Sequence, residues 1–400
     1  MKIFGTHDEN TIAQLQDVAS RAEKVALMAD GHLGYVMPIG GVAAYNHKVS
    51  VVGVGFDIAC GNAAILTDRT IDNLGNTTDL ADDVFAELSF GVGLSNLSDD
   101  APQDHPLFED PAWDAVPEDR HSYRSKLREK ARHQLGTIGA GNHYVDIFAD
   151  EQDRIWVGVH FGSRGFGHTV ASSFIALSQG EQWGTKAPER EVLLHLNNPI
   201  GHDYWHLMEL AGQYAYAGRE WVCRKVVSII GGTEVDLVHN HHNFAWMENH
   251  DGRNYVVVRK GATPARPGQR GFVGGSMGDD AVILQGAKTE EGSAEERLQK
   301  QALYSTVHGA GRVMSRTAAK GKWKKGRRVK VGAVTHEEMH DWLNARGVVL
   351  RGGGLDESPQ AYRRLPDVLE AQGPTVEVLH TLRPLVVCMA PGDTHDPYKD

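Results

Sequence analysis

Asp57 and Cys60 stand three residues apart in GVGFDIACGN. A carboxylate and a thiolate in a glycine-bounded turn can meet on one metal ion, although a buried cysteine beside a capping aspartate is the commoner use of such a pair. His143 in GAGNHYVD and His160 in VGVHFGSRG lie beside glycines at strand edges, where a histidine can line a site. LVHNHHNFA places His239, His241 and His242 within four positions, which is unusual in a core. One cysteine, one aspartate and three histidines suffice for two ions of the Mn, Fe or Zn type sharing the thiolate. Two ions a few ångströms apart suit phosphoryl chemistry. His308, in STVHGAGRVMSR, is followed by Gly-Ala-Gly-Arg. A histidine that attacks a nucleotide phosphate needs room, N–H donors for the phosphate oxygens and a nearby cation. The glycines meet the first two needs and Arg312 is a candidate for the third. A helix starting here would add anion affinity at its N-terminus. GGSMG, Gly274 to Gly278, and Asn142 could serve the same phosphates, while a plain tight turn is the simpler account of GAGR taken alone.

The elements that must position these residues are mixed. Residues 10–30 read as an amphipathic helix, 49–56 as a valine-rich buried strand with Asp57 and Cys60 in the turn at its end, and 63–67 as its continuation in a sheet. Residues 155–160 and 255–258 read as strands, and 169–230, 334–346 and 360–372 as mainly helical. Residues 68–125 are more polar and partly loop-like. Strands and helices without steady alternation predict an α+β fold, with mixed sheets around a central cleft. With no Pro/Ser-rich linker, residues 1–400 are expected to form one domain.

Composition bounds the partners. The 400 residues carry 41% hydrophobic and 23% charged residues, which are globular values. No run of about 18 apolar residues predicts a membrane span, and the N-terminus does not read as a secretory signal. Three cysteines far apart, Cys60, Cys223 and Cys388, argue against a disulfide framework and for a reducing cytoplasm. The net charge of −11 excludes a protein that simply coats nucleic acid. An RNA substrate would need a local basic patch. One candidate runs from Arg312 to Lys330 through Arg316, Lys320, Lys322, Lys324, Lys325, Arg327 and Arg328 without an acid. A second covers Arg124, Lys126, Arg128 and Lys130 on a helical stretch.

MADGHLGYVMPIGG, GVGFDIACG, GTIGAGNH, HFGSRG, HHN, RKGAT, GGSMG, HGAGRVMSR, LDESPQAY and LRPL follow one another in this order. In these motifs the chain resembles the RtcB family, the tRNA-splicing and RNA-repair ligases, from about Met28 to about Leu385. The resemblance implies two Mn²⁺ ions sharing Cys60, one with Asp57 and His143 and the other with His160 and His242. His239 and His241 then need not be ligands. It implies that His308 takes GMP from GTP, and that Asn142, Asn243, Gly275, Ser276, Met277, Gly309, Ala310, Gly311 and Arg312 surround the guanylate and its phosphates. The implied reaction joins an RNA 3′-phosphate or 2′,3′-cyclic phosphate end to a 5′-hydroxyl end. The chain is expected to work as a monomer in the cytoplasm, and some family members need an archease-like activator. The chain departs from the family pattern at Met389 and Ala390, where members tend to end in Lys-Gly, and residues 391–400 extend beyond. Asp146 stands where many members have Glu, Phe161 where Ser is common and Gly274 where Pro is common. A dimetal phosphoesterase acting on RNA ends and a non-catalytic RNA-binding paralogue are the competing expectations.

Overall fold

A computed structural model describes the backbone of residues 1–324 and 327–394 and side chains outside 323–328. The basic side chains expected at Lys324, Lys325, Arg327 and Arg328, and Lys399 of the C-terminal extension, lie outside the described residues. The fold is α+β, as the irregular alternation predicts, and two sheets position the site. The larger runs Arg270–Val273, Ala281–Gly286, Val376–Pro391, Tyr144–Ala149, Arg154–Phe161, Gly61–Thr70, Glu234–His241 in hydrogen-bonded order, and Val349–Gly353 adds in parallel to the long strand Val376–Pro391. The smaller runs Lys2–Ile3, Lys24–His32, Ile39–Tyr45, Arg253–Lys260, Asn243–His250. The chain passes from one sheet to the other at His242, the single residue between Glu234–His241 and Asn243–His250.

Two expected elements come out differently. Residues 10–30 divide into a helix, Glu9–Ala19, and a strand, Lys24–His32. Asp8 caps that helix by accepting from Thr11 N at 3.0 Å. Ser20 and Arg21 turn the chain, and beyond them the apolar run KVALMAD is buried as a central strand would be. The valine run at 49–56 is a strand only over Lys48–Ser50. Ser50 then caps a single helical turn, Val51–Val54, by accepting from Gly53 N at 2.8 Å. Asp57 and Cys60 therefore lie between that turn and the strand Gly61–Thr70, before a strand and not at the end of one. The polar stretch 68–125 includes a regular helix, Thr77–Glu87, capped by Asn76.

The helices Arg164–Ser178 and Pro199–Ile229 pack beside the larger sheet. An aromatic core holds them together: Trp113 stacks on Phe166 at 4.6 Å, and Phe166 meets Tyr214 edge-on at 5.6 Å. Such rings bury large areas and fix orientation. Val222 and Val226 of the long helix bury against Ile65, Val145 and Val157 of the sheet. This backing leaves the strand ends that carry the histidines facing a cavity of about 870 Å³. No helix among the described residues is long and apolar enough to cross a membrane.

Candidate functional site

The cavity is lined by Asp57, Cys60, His143, His160, His242, His308 and Arg312, while His239 and His241 lie outside its lining. Within it the side chains form a file. Asp57 Oδ2 lies 3.1 Å from His143 Nε2, His143 Nε2 lies 3.8 Å from Cys60 Sγ, and Cys60 Sγ lies 3.6 Å from His160 Nε2. His160 stacks on His242 with ring centroids 5.0 Å apart, and His242 meets His308 at 5.0 Å. The ligand atoms of Cys60, His143 and His160 all fall within 4.8 Å of one another, and the three residues are buried. Bonds of about 2.1 Å to nitrogen and 2.3 Å to sulfur at a tetrahedral angle would separate the donors by about 3.6 Å. The cluster therefore fits a metal ion, with Asp57 at one end and His242 at the other.

Neighbouring hydrogen bonds fix which nitrogens face the cluster. Ile138 O accepts from His143 Nδ1 at 2.9 Å, and Asn62 Oδ1 accepts from His160 Nδ1 at 2.6 Å. Both Nε2 lone pairs are thereby left toward Cys60. Asn62 is itself oriented, because its amide donates to Phe272 O at 2.7 Å. Strand register makes this possible: Asn62 lies opposite His160, and His160 opposite Tyr144. His242 Nδ1 is buried without a hydrogen-bond partner among the described residues, as a nitrogen reserved for a metal would be. Gly162 must lack a side chain, since a Cβ there would lie 2.6 Å from Asp57 Oδ2.

Electrostatics suit cation binding. Burial acts to raise the Asp57 carboxyl, but the adjacent His143 ring and the charge of Arg164 overcome it and bring it to about 2. Burial, then the neighbouring His143 and His308, hold His160 well below the ordinary histidine range; burial, then His308 and His160, do the same to His242. Both imidazoles are thus neutral donors at physiological pH. Burial and the Asp57 carboxylate push the Cys60 thiol well above its usual value, so a cation is what would draw its proton off.

His308 follows the short strand Ser305–Val307. Its Nδ1 is 2.5 Å from Asp30 Oδ2, and the same oxygen accepts from His308 N at 3.0 Å and Gly309 N at 3.3 Å. Asp30 is completely buried, and its burial is outweighed by the charge and hydrogen bonds of His308, so it remains ionised below the usual carboxylate range. The carboxylate thus keeps the proton on Nδ1 and leaves Nε2 as a free lone pair, which is the arrangement of a nucleophile with an orienting acid. Gly274 and Gly309 are joined by a parallel β-bridge, so the GGSMG and HGAG loops lie side by side.

One expectation is corrected, and several expected site residues prove to have partners within the protein. No helix begins at His308; the next is Arg316–Lys320, so helix-terminus affinity is absent there. Arg312 does not present a free cation. Its guanidinium donates to Tyr362 Oη at 2.7 Å, Asp356 O at 2.7 Å and Glu357 Oε2 at 3.3 Å. Arg316 and Lys320 also pair with Asp356, which leaves Lys322 and Lys330 as the exposed described cations of that run. In the second basic stretch Arg124 pairs with Asp114 and Arg128 with Glu109, while Lys130 reaches the cavity. Ser276 spends its hydroxyl on Asp279 at 2.5 Å, and Asn243 Oδ1 accepts from Gly261 N at 2.8 Å. Asn142, whose amide is 3.4 Å from His160 Nε2, and Gly275, Met277, Ala310 and Gly311 line the cavity. Met389 is buried against Met277 and also lines it, opposite Tyr144 in register. Nearby Asp146 is pushed well above the usual carboxylate range by burial and has one oxygen without a partner among the described residues.

Sequence reasoning passes over Asp30, Asn62 and Arg164. The first carries a signal: an acid inside the apolar run KVALMADGH needs a partner if the strand is buried. Arg164 occupies the left-handed region at φ 56°, a strained position common at functional sites. It lines the cavity.

Comparison with known proteins extends the match beyond these residues. The family model described as tRNA-splicing ligase RtcB matches residues 10–390. The chain is 31% identical to the RNA-splicing ligase RtcB of Escherichia coli over 91% of its own length and 89% of that protein. It is 30% identical to the tRNA-splicing ligase RtcB of Archaeoglobus fulgidus, over 96% and 92% of the two chains. The tRNA-splicing ligase RtcB of Thermococcus kodakarensis is also 30% identical, over 86% and 82%.

Proposed function

Because the chain belongs to the RtcB family, we propose that it is an RNA ligase that uses GTP and Mn²⁺ to join a 3′-phosphate or 2′,3′-cyclic phosphate RNA end to a 5′-hydroxyl end. We read it as one domain, working as a monomer in the cytoplasm. The names of the relatives support the ligase class, and the Asp30–His308 pair is the observation that carries the mechanism.

His308 Nε2 attacks the α-phosphorus of GTP. A P–N bond forms, the bond to the bridging oxygen breaks, and pyrophosphate leaves. Asp30 holds the proton on Nδ1 throughout and balances the positive charge that builds on the ring. A cyclic RNA end is first opened by water to a 3′-phosphate. An oxygen of that phosphate then attacks the histidine-bound phosphorus, the P–N bond breaks, and GMP passes to the RNA. The 5′-hydroxyl of the second end attacks the RNA 3′-phosphorus, losing its proton, and GMP departs as the phosphodiester forms. Asp57, Cys60 and His143 would hold one Mn²⁺ and Cys60, His160 and His242 the other, and bound ions would neutralise phosphate oxygens and make the attacking hydroxyl more acidic. The glycine backbones of 274–278 and 309–311 offer close approach to the nucleotide phosphates.

The test is incubation with α-³²P-GTP and Mn²⁺, followed by a denaturing gel, with His308→Ala alongside and with competing ATP. A labelled band that is acid-labile, base-stable and lost in the variant supports a phosphoramidate on His308. Turnover of RNA ends by metal-loaded His308→Ala without nucleotide would instead favour a phosphoesterase.

A further inference from the structure

The long helix Pro199–Ile229 crosses the strand ends that carry the metal candidates, and its small residues let it approach closely. A Cβ on Gly212 would lie 3.4 Å from His241 Nε2, and one on Gly218 would lie 3.4 Å from the Phe161 ring. At this crossing Arg219 is completely buried, and its hydrogen bonds among the described residues go to carbonyls and imidazoles, none to a carboxylate. A buried guanidinium must find acceptors for its donors, and those it finds are specific. Nη1 donates to Ala59 O at 2.9 Å and Phe161 O at 2.6 Å. Nη2 donates to His241 Nδ1 at 2.8 Å, and Nε to His239 Nε2 at 2.8 Å.

The two carbonyls identify the purpose. Ala59 directly precedes Cys60, and Phe161 directly follows His160. Ala59 also sits in the left-handed region at φ 59°, so its peptide needs a restraint. One guanidinium nitrogen thus bridges the turn that presents the thiol to the strand end that presents the imidazole. The other two nitrogens are held by His239 and His241, the histidines of LVHNHHNFA that the metal cluster leaves unused. Tyr216 braces both, stacking on His241 at 3.9 Å and meeting His239 edge-on at 4.0 Å. A guanidinium can only donate, so each imidazole turns a lone pair to it.

We propose that Arg219, clamped by His239 and His241, is a positioning residue of the metal centre that sets the spacing between Cys60 and His160. The proposal rests on reading those two residues as ligands, and does not depend on the nucleotide or RNA steps. The test is titration of the metal-free full chain with Co²⁺, following the thiolate-to-cobalt charge-transfer band and the dissociation constant. Arg219→Met is expected to weaken Co²⁺ binding at least tenfold and shift or weaken the band. Arg219→Lys, which keeps the charge but cannot bridge the carbonyls in the same plane, falls between it and the wild type. His241→Phe removes one clamp while keeping a ring for Tyr216 to stack on, and should weaken binding several-fold. A folded Arg219→Met with wild-type affinity and band would overturn the proposal, since a merely structural arginine would behave so. Should Arg219→Met not fold, wild-type affinity and band in His241→Phe overturn it equally. Absence of Co²⁺ binding by the wild type would overturn the metal reading itself, a result distinct from either.

Discussion

Replacing Asp30 by Asn keeps the shape of the side chain and removes its charge. One oxygen of Asp30 now serves three donors, the His308 and Gly309 N–H groups and the His308 ring, the last at 2.5 Å. The other oxygen is buried without a partner among the described residues. An amide has no good orientation there. With its oxygen on the three donors, its NH₂ is buried beside nothing that accepts. With its NH₂ on them, the ring must shift its proton to Nε2, and the nucleophilic lone pair is lost. The first orientation forfeits a charge-assisted hydrogen bond worth about 1.5–3 kcal/mol, or roughly 10- to 150-fold in rate. The second adds the wrong-tautomer penalty, which in the serine-protease triad reaches about 10⁴-fold. Asp30→Asn should therefore slow single-turnover labelling of His308 by about 10- to 10⁴-fold at saturating GTP and Mn²⁺, with little change in nucleotide affinity. Rapid-quench sampling on denaturing gels measures this. A rate within about threefold of wild type, in protein with full metal content, would refute the role assigned to Asp30.

Three further outcomes are expected. Gly162→Ala should displace the Asp57 carboxylate, with which a Cβ would overlap, and weaken metal binding at least about tenfold; isothermal titration of metal-free protein decides it, and unchanged affinity sinks the argument. Arg312→Ala should cost about 2 kcal/mol of stability by removing the hydrogen bonds to Tyr362, Asp356 O and Glu357, although Glu357 keeps Arg316 and Tyr362, so its denaturant midpoint should fall; an unchanged midpoint with weaker nucleotide binding would restore Arg312 to the phosphates. Burial first holds His32, His160, His239, His241 and His242 below the ordinary histidine value, His32 at about 4. The unfolded chain takes up these protons near pH 6.5 while the folded chain does not, so stability should fall as pH drops below about 6.5, by up to about 7 kcal/mol per unit for five protons. Melting curves of metal-free protein between pH 7 and 5 test this, and a flat profile contradicts it.

The chemistry is more legible in the sequence than the framework. Cys60, His143, His160 and His308 stand in glycine-rich motifs and His242 in a run of three histidines within four positions, each a weak signal alone, and the fold brings them into one file. Lys24–His32 reads wrongly as helix because a buried central strand is apolar on both faces and carries no alternation to distinguish it from the helix before it. The valine run at 49–56 misleads through propensity, which a Ser50 cap overrides. Arg312 looks free because its partners, Asp356, Glu357 and Tyr362, lie more than forty residues away, a separation that local pattern reading cannot span. Arg219 gives no signal at all, since an arginine in a long amphipathic helix ordinarily faces water.

The strand Val376–Pro391 lies between Ala281–Gly286 and Tyr144–Ala149. It is the last strand of the described chain to leave a ribosome, yet it is the only hydrogen-bonded link in that ladder between the glycine-loop half of the larger sheet and the half that bears the thiol and imidazoles. Synthesis from the N-terminus therefore delivers two lots of functional groups, tied only by side-chain hydrogen bonds such as Asn62 to Phe272, before it delivers the strand that joins them in one ladder. A chain lacking this strand holds His308 without a completed cavity, and the arrangement proposed for ligation forms only once the strand is in place.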